Sequence, residues 1–329
     1  MNRSAVPPPV TMVLDAASAW LPARMESVEE RLRRLSEGHG EALAADAEAT
    51  LAAGGKRLRP MLVLLSAGPG AGEAAIRAAT AIELVHMATL VHDDVLDAAP
   101  LRRGRPTVVA RSGRRRALAL GDLLFSRAFA ELGRNGTGGQ VELLSRASVA
   151  LALGELAQRR DAFDVTISAQ RYLERCELKT GRLFECACVI GRADGEQASQ
   201  VDRAALGVFG REIGLAFQLL DDVLDVTGPP ERTGKARGTD LLDGTVTLPF
   251  ILARERDPSL GELSLRGLDA EAAASICDRI ASTGVLEEVR AGARRRVELA
   301  KRALEGSNLD GRQRQLLELV ADGVVERYS

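Results

Sequence analysis

The pentapeptide DDVLD occurs twice, at Asp93–Asp97 and at Asp221–Asp225. Each copy lies in a segment whose apolar residues recur at three- and four-residue spacing, the signature of a helix. On a helix the first and last acids of each motif, four residues apart, share a face. The neighbours Leu90, Val91, Val95 and Leu96 make the first of these helices partly buried, where unpaired charge is costly. Something positive is therefore required beside the acids. Oxygen-only donors suit Mg²⁺, which binds through few carboxylates and keeps water or phosphate oxygens in its shell. A single copy is read equally well as a solvated helix face. Two copies inside apolar helices, each trailed by basic residues, make Asp93, Asp94, Asp97, Asp221, Asp222 and Asp225 candidate metal ligands.

The remainder of the 329 residues also reads as helix, because Ala, Leu, Arg and Glu dominate and alternating β-branched runs are scarce. Helices are expected near 13–36, 42–53, 60–67, 73–97, 114–133, 139–159, 169–190, 199–225, 245–255, 270–281, 284–304 and 309–327. Glycine- and proline-rich breaks separate them, and none is a long linker. The expectation is one all-α domain over 1–329, with a loose proline-rich tail over 1–12. Hydrophobic residues at 46% and charged residues at 27% fit a soluble globular chain with a large core. With aromatics at 3%, that core must be mostly Leu, Ala and Val. A net charge of −2 argues against a dedicated nucleic-acid binder. Cys176, Cys186, Cys188 and Cys277 lack zinc spacing and read as core residues in a reducing cytoplasm. No uncharged apolar run reaches the roughly 18 residues of a spanning helix, and the N-terminus has no signal-like apolar region.

Basic residues cluster beside the acids. GGKRLRP places Lys56, Arg57 and Arg59 ahead of a helix, near backbone N–H groups that can bind an anion. Arg102 and Arg103 follow the first motif, Lys179 lies in LKTGRLF, and Lys235 and Arg237 follow the second motif. This pattern fits one diphosphate held through Mg²⁺ and another held directly by basic side chains. GPPERTGKA is one residue too long for a phosphate-binding Walker loop and lacks its Ser or Thr. His86 and His92 are six apart, on different helix faces, and have no thiolate partner for zinc.

The ordered set GGKRLRP, ELVHMATLVHDDVLDAAPLRRG, GDLLFSRAF, ELKTGRLF, AFQLLDDVLD and GKARGTDLLDGTVTLP, spanning Gly54 to Pro249, resembles the trans-isoprenyl (polyprenyl) diphosphate synthase family. The resemblance implies an isoprenoid-synthase helical bundle around a central cavity, a homodimer, and three Mg²⁺ per active site. It also implies the reaction. An allylic diphosphate ionises, isopentenyl diphosphate adds head-to-tail, and the released diphosphate accepts the proton that is lost. Carried over by position, Asp93, Asp97 and Asp221 resemble direct metal ligands, with Asp94, Asp222 and Asp225 in support. Arg102, Lys179 and Lys235 resemble the grip on the allylic diphosphate. Lys56, Arg59, His86 and Arg103 resemble the isopentenyl diphosphate site. Thr180, Phe217 and Gln218 would line the space where the substrates meet, and Asp240 would lie in a closing loop. One departure is Thr245, where the family commonly has a second Lys.

The helix bearing Asp93 is expected to form a pocket wall through Ile82, Val85, His86 and Thr89. Short-chain members of the family place an aromatic four or five residues before the first Asp, where this chain has Thr89 and Ala88. An open pocket and a product of C20 or longer follow, with transient membrane contact on product release. Two rival readings are a class I terpene cyclase, disfavoured by the second DDVLD and by GGKRLRP, and a non-catalytic partner subunit, disfavoured by retention of both acidic motifs.

Overall fold

Helix propensity and apolar spacing are satisfied along nearly the whole chain. The computed structural model describes residues 8–37, 40–52, 54–102, 104–135, 138–192, 199–228 and 237–326, with side chains from residue 11 onward. Its first helices are α1 Pro8–Ala16, α2 Leu21–Ser36, α3 Glu41–Ala52, α4 Leu58–Ala67 and α5 Glu73–Leu96. A minimal antiparallel hairpin, β1 Leu101–Arg102 and β2 Arg105–Pro106, pairs Leu101 with Pro106 and Arg102 with Arg105. Then come α6 Val108–Ser112, α7 Arg114–Gly133, α8 Gly138–Arg160 and α9 Ala169–Cys176. A single π-turn, Glu177–Gly181, leads from α9 into α10 Arg182–Ile190. The chain closes with α11 Gln200–Thr227, α12 Thr239–Leu242, α13 Leu248–Arg256, a 3₁₀ turn Pro258–Glu262, α14 Ala270–Ser282, α15 Val285–Glu305 and α16 Gly311–Glu326.

α5 is the axis of the bundle. It is about 36 Å long at 1.5 Å per residue, and most of its residues are buried, as befits a central helix. By length and composition it could cross a membrane, yet 67% of that window is buried inside the fold. It packs most extensively on α7, while α11 packs on α15 and α10. One apolar cluster runs from Val13 to Val324 and is built mainly of Leu, Ala, Val and Ile, as the scarcity of aromatics requires.

Four boundaries differ from expectation. The loose tail expected over 1–12 is helical from Pro8 onward, as the start of α1. The helix expected over 13–36 breaks between α1 and α2, because Pro22 in the first turn of α2 lacks the N–H that a continuous helix would need there. The helix expected over 169–190 is interrupted by the π-turn. The helix expected from 245 starts at Leu248, with Pro249 in its first turn.

Candidate active site

The end of α5 carries Asp93 and Asp94, and its C-cap is Asp97. Each acid meets a cation of the chain itself. Arg102 Nε on β1 donates to Asp94 Oδ1 at 2.7 Å. Lys179 Nζ on the π-turn lies 3.9 Å from Asp93 Oδ2 and 2.5 Å from Glu155 Oε2 on α8. Arg159, one turn beyond Glu155, donates to Glu155 at 2.8 Å and to Asp97 at 2.5 Å. Asp93, Lys179, Glu155, Arg159 and Asp97 thus form a chain of alternating charge that leaves α5, crosses α8 and returns. α8 can lie this close because Gly154 faces the π-turn, where a Cβ would stand 2.7 Å from the Lys179 backbone nitrogen. Burial pushes the Asp93 carboxyl up to about 6, against the pull of Lys179. Glu155 is held below its usual value by Lys179 and Arg159, against the burial that would raise it.

The second motif sits at the end of α11 and is arranged differently. Asp221 is exposed. Asp222 is 2% exposed. It accepts from Gln218 Nε2 at 2.8 Å through one oxygen and from the Tyr172 hydroxyl through the other. Asp225 accepts from the backbone N–H groups of Thr239 and Asp240, at 3.1 and 3.2 Å, and so anchors α12. Thr180 donates to Gln218 Oε1 at 2.9 Å. The π-turn therefore touches both motifs, Lys179 toward α5 and Thr180 toward α11.

The basic motif GGKRLRP divides by role. Arg57, 5% exposed and at φ 48°, is locked between Glu29 (2.5 Å) and Glu83 (2.7 Å). Arg59 instead lies over the Phe184 ring at 4.4 Å, and Phe184 meets Phe217 at 5.9 Å between centroids. Burial pulls the Arg59 guanidinium down to about 10, despite Glu83 nearby. Lys56 Nζ and Arg59 Nε are buried with no hydrogen-bond partner among the described residues. Buried donors without acceptors are costly, which makes these two candidates for an anion.

Several sequence expectations are revised. A cavity of about 190 Å³ does lie along α5, lined by Arg57, Glu83, His86, Leu90, Asp94 and Arg102 among others. It follows the Asp94 side of the helix rather than the expected wall, and only His86 is common to both. Ile82, Val85 and Ala88 have no exposed surface, so no water-wide channel runs beside them. Val85 and Ala88 share the His92 face of α5, and His92 presses into α7 at Gly121, which closes that side. Thr89 is half-buried, with its hydroxyl donating to the His86 carbonyl. Arg237 turns away from the acids to pair with Asp278 at 2.7 Å. Thr245 is half-buried and donates its N–H to the Asp240 carbonyl at 2.7 Å. Arg103 and Lys235 lie outside the described residues. Glu155, Arg159, Tyr172 and Phe184 escaped the sequence reading. Phe184 alone had a local signal, as the last residue of LKTGRLF.

A hard divalent cation fits this donor set. Asp93, Asp97 and Asp221 offer carboxylate oxygens with accessible surface, and Asp93 carries buried charge that Lys179 offsets only from 3.9 Å. Among the described residues no three acids, His or Cys converge on one point.

Known proteins share this arrangement of helices. The chain is 37% identical over 300 residues to heptaprenyl diphosphate synthase component 2 of Geobacillus stearothermophilus, covering 90% of this chain and 93% of that one. It is 34% identical to geranylgeranyl diphosphate synthase of Methanosarcina mazei, covering 84% and 86%. A crystal structure of a polyprenyl synthase from Caulobacter crescentus, complexed with calcium and isoprenyl diphosphate, superposes with a TM-score of 0.88 at 33% identity, covering 97% and 98%. The family model described as polyprenyl synthetase matches residues 41–275, which hold both acidic motifs, the basic loop and the π-turn. With most of its length and its whole set of motifs matched, the chain belongs to the polyprenyl synthetase family.

Proposed function

We propose that this chain is a prenyltransferase that joins an allylic prenyl diphosphate head-to-tail to isopentenyl diphosphate, giving an all-trans product of C20 or longer. The observation that carries this reading is the π-turn, whose adjacent residues Lys179 and Thr180 reach Asp93 on α5 and Gln218 on α11. Such a turn puts a cation beside the first acidic motif and a polar platform beside the second. Arg102, Lys179 and Lys235 hold the allylic diphosphate, and Lys56, Arg59, His86 and Arg103 hold isopentenyl diphosphate. Asp93, Asp97 and Asp221 would hold Mg²⁺, with Asp94, Asp222 and Asp225 fixing the surrounding donors. When bound, the ion neutralises charge that develops on the departing diphosphate. The allylic C–O bond breaks, a new C–C bond forms to isopentenyl diphosphate, and the released diphosphate takes up the proton. Phe217, backed by the buried Phe184, shields the cationic carbon from water. Incubation with Mg²⁺, labelled isopentenyl diphosphate and a panel of allylic primers tests the reading; no elongation with any primer overturns it.

Product length is the open variable, since the relatives are named for both geranylgeranyl and heptaprenyl products. Thr89→Phe is expected to shift products to shorter chains. Ala88→Phe, at a fully buried site on the side that α7 closes, instead overpacks the core by about 1–3 kcal/mol. An unchanged product ladder from folded Thr89→Phe removes the wall assignment.

The Asp93 carboxyl also predicts a pH signature. Its folded value of about 6 lies above the ordinary carboxylate value of about 3.9. Without metal the folded chain therefore binds the extra proton, and stability falls as pH rises through that window. A cation that replaces the proton stabilises most above pH 6. The Mg²⁺-induced rise in Tm, measured against a chelator, should be full at pH 8 and largely lost at pH 5. Equal increments at both pH values would remove Asp93 from the metal site.

A second copy is the proposed partner. Val149, Leu153 and Leu156, at 57, 52 and 66% exposure, form an apolar row on one face of α8 that a homodimer would cover. The name component 2 of one relative favours an additional or different subunit. Sedimentation of the purified chain separates the two, because a monomer excludes the self-association.

A further inference from the structure

The Thr180–Gln218–Asp222–Tyr172 network follows from the π-turn. In a continuous α-helix the residue two turns beyond Tyr172, on the same face, would be Lys179. A π-turn inserts one extra residue, so Thr180 takes that place and Lys179 is swung toward Asp93 and Glu155. Tyr172 and Thr180 therefore address the same helix, α11, where Gln218 and Asp222 stand four apart on one face. Tyr172 is 1% exposed, and its hydroxyl donates to Asp222. With that donor on one Asp222 oxygen, the other oxygen faces Gln218 Nε2. In this arrangement the Gln218 amide turns its carbonyl toward Thr180.

We infer that Tyr172 is a positioning residue for the condensation, acting through Asp222 to fix the amide of Gln218 where the two substrates meet. The inference rests on the reaction proposed above. Tyr172 touches no substrate. Without its hydroxyl, Asp222 keeps one donor, its second oxygen turns to find another, and Gln218 loses its anchor.

Tyr172→Phe in the full-length chain is expected to lower kcat by about 10- to 100-fold, the scale of a misplaced catalytic contact. KM for both diphosphates should stay within about threefold, because Lys56, Arg59, Arg102 and Lys179 are untouched. A merely structural Tyr172 would lower Tm and leave kcat unchanged well below the transition. The double variant with Gln218→Ala sharpens the test. Residues acting through one network are non-additive, so adding Tyr172→Phe should slow Gln218→Ala no further. Multiplying effects, or wild-type kcat in Tyr172→Phe, overturn the inference. A crystal structure of Tyr172→Phe decides it even if the parent chain elongates nothing. A rotated Gln218 amide supports positioning, and an amide still bonded to Thr180 and Asp222 overturns it.

Discussion

Asp93→Ala and Asp221→Ala, each purified as a folded chain, should incorporate labelled isopentenyl diphosphate at least about 10²–10³-fold more slowly than the parent, the usual cost of losing a group that stabilises transition-state charge. Neither substitution should unfold the protein. Asp221 is exposed. Asp93 is a carboxylate that burial opposes, and removing it relieves that penalty. Lys179 retains Glu155 at 2.5 Å when Asp93 is gone. Metal-free Asp93→Ala should therefore melt no lower than the parent at pH 8. Activity within tenfold of wild type in either variant would remove that acid from the metal site. A collapse in Tm would instead reassign it to the fold.

The second large effect separates two arginines of one motif. Arg59→Met should raise KM for isopentenyl diphosphate about 100-fold. Two charge-assisted hydrogen bonds at about 1.5 kcal/mol each amount to about 3 kcal/mol, and each 1.4 kcal/mol is tenfold. KM for the allylic primer should change little. Stability should hold, because the lost cation–π contact with Phe184 is offset by removing a desolvated charge whose Nε has no described partner. Arg57→Met should do the reverse. It strands Glu83, 3% exposed, and loosens Glu29; breaking a buried pair in this way costs about 3–5 kcal/mol. Steady-state kinetics with thermal melts of both variants decides the matter. An unchanged isopentenyl diphosphate KM in Arg59→Met would place that substrate elsewhere.

Much of the site was legible because its chemistry conflicts with its surroundings. Like charges four apart on an apolar helix are a local contradiction, visible without a fold. Lys56 and Arg59 were visible for the same reason, as cations concentrated just ahead of a helix. Glu155, Arg159 and Tyr172 had no such mark. Glu155 and Arg159 form an ordinary i, i+4 pair on a helix that shows solvent an apolar row. Tyr172 is one aromatic in a polar helix. Each gains its role only from the residue opposite. The expected pocket wall divides on similar grounds: Ile82, Val85 and Ala88 are fully buried, while Thr89 keeps some exposed surface. Ala88 is small, but its side of α5 is closed where His92 packs into α7 at Gly121.

The amino-acid sequence by itself determined the helical class, the two acidic clusters and the basic loop, because periodicity, like-charge repulsion and motif order are properties of neighbouring residues. Only the tertiary structure decided which acids keep accessible oxygens, which arginine of GGKRLRP holds the fold, and how Lys179 and Thr180 divide between two helices. Those outcomes depend on burial, and on a one-residue register shift in the π-turn where Gly154 admits α8. Both arise from helices far apart in the chain, so no local pattern carries them.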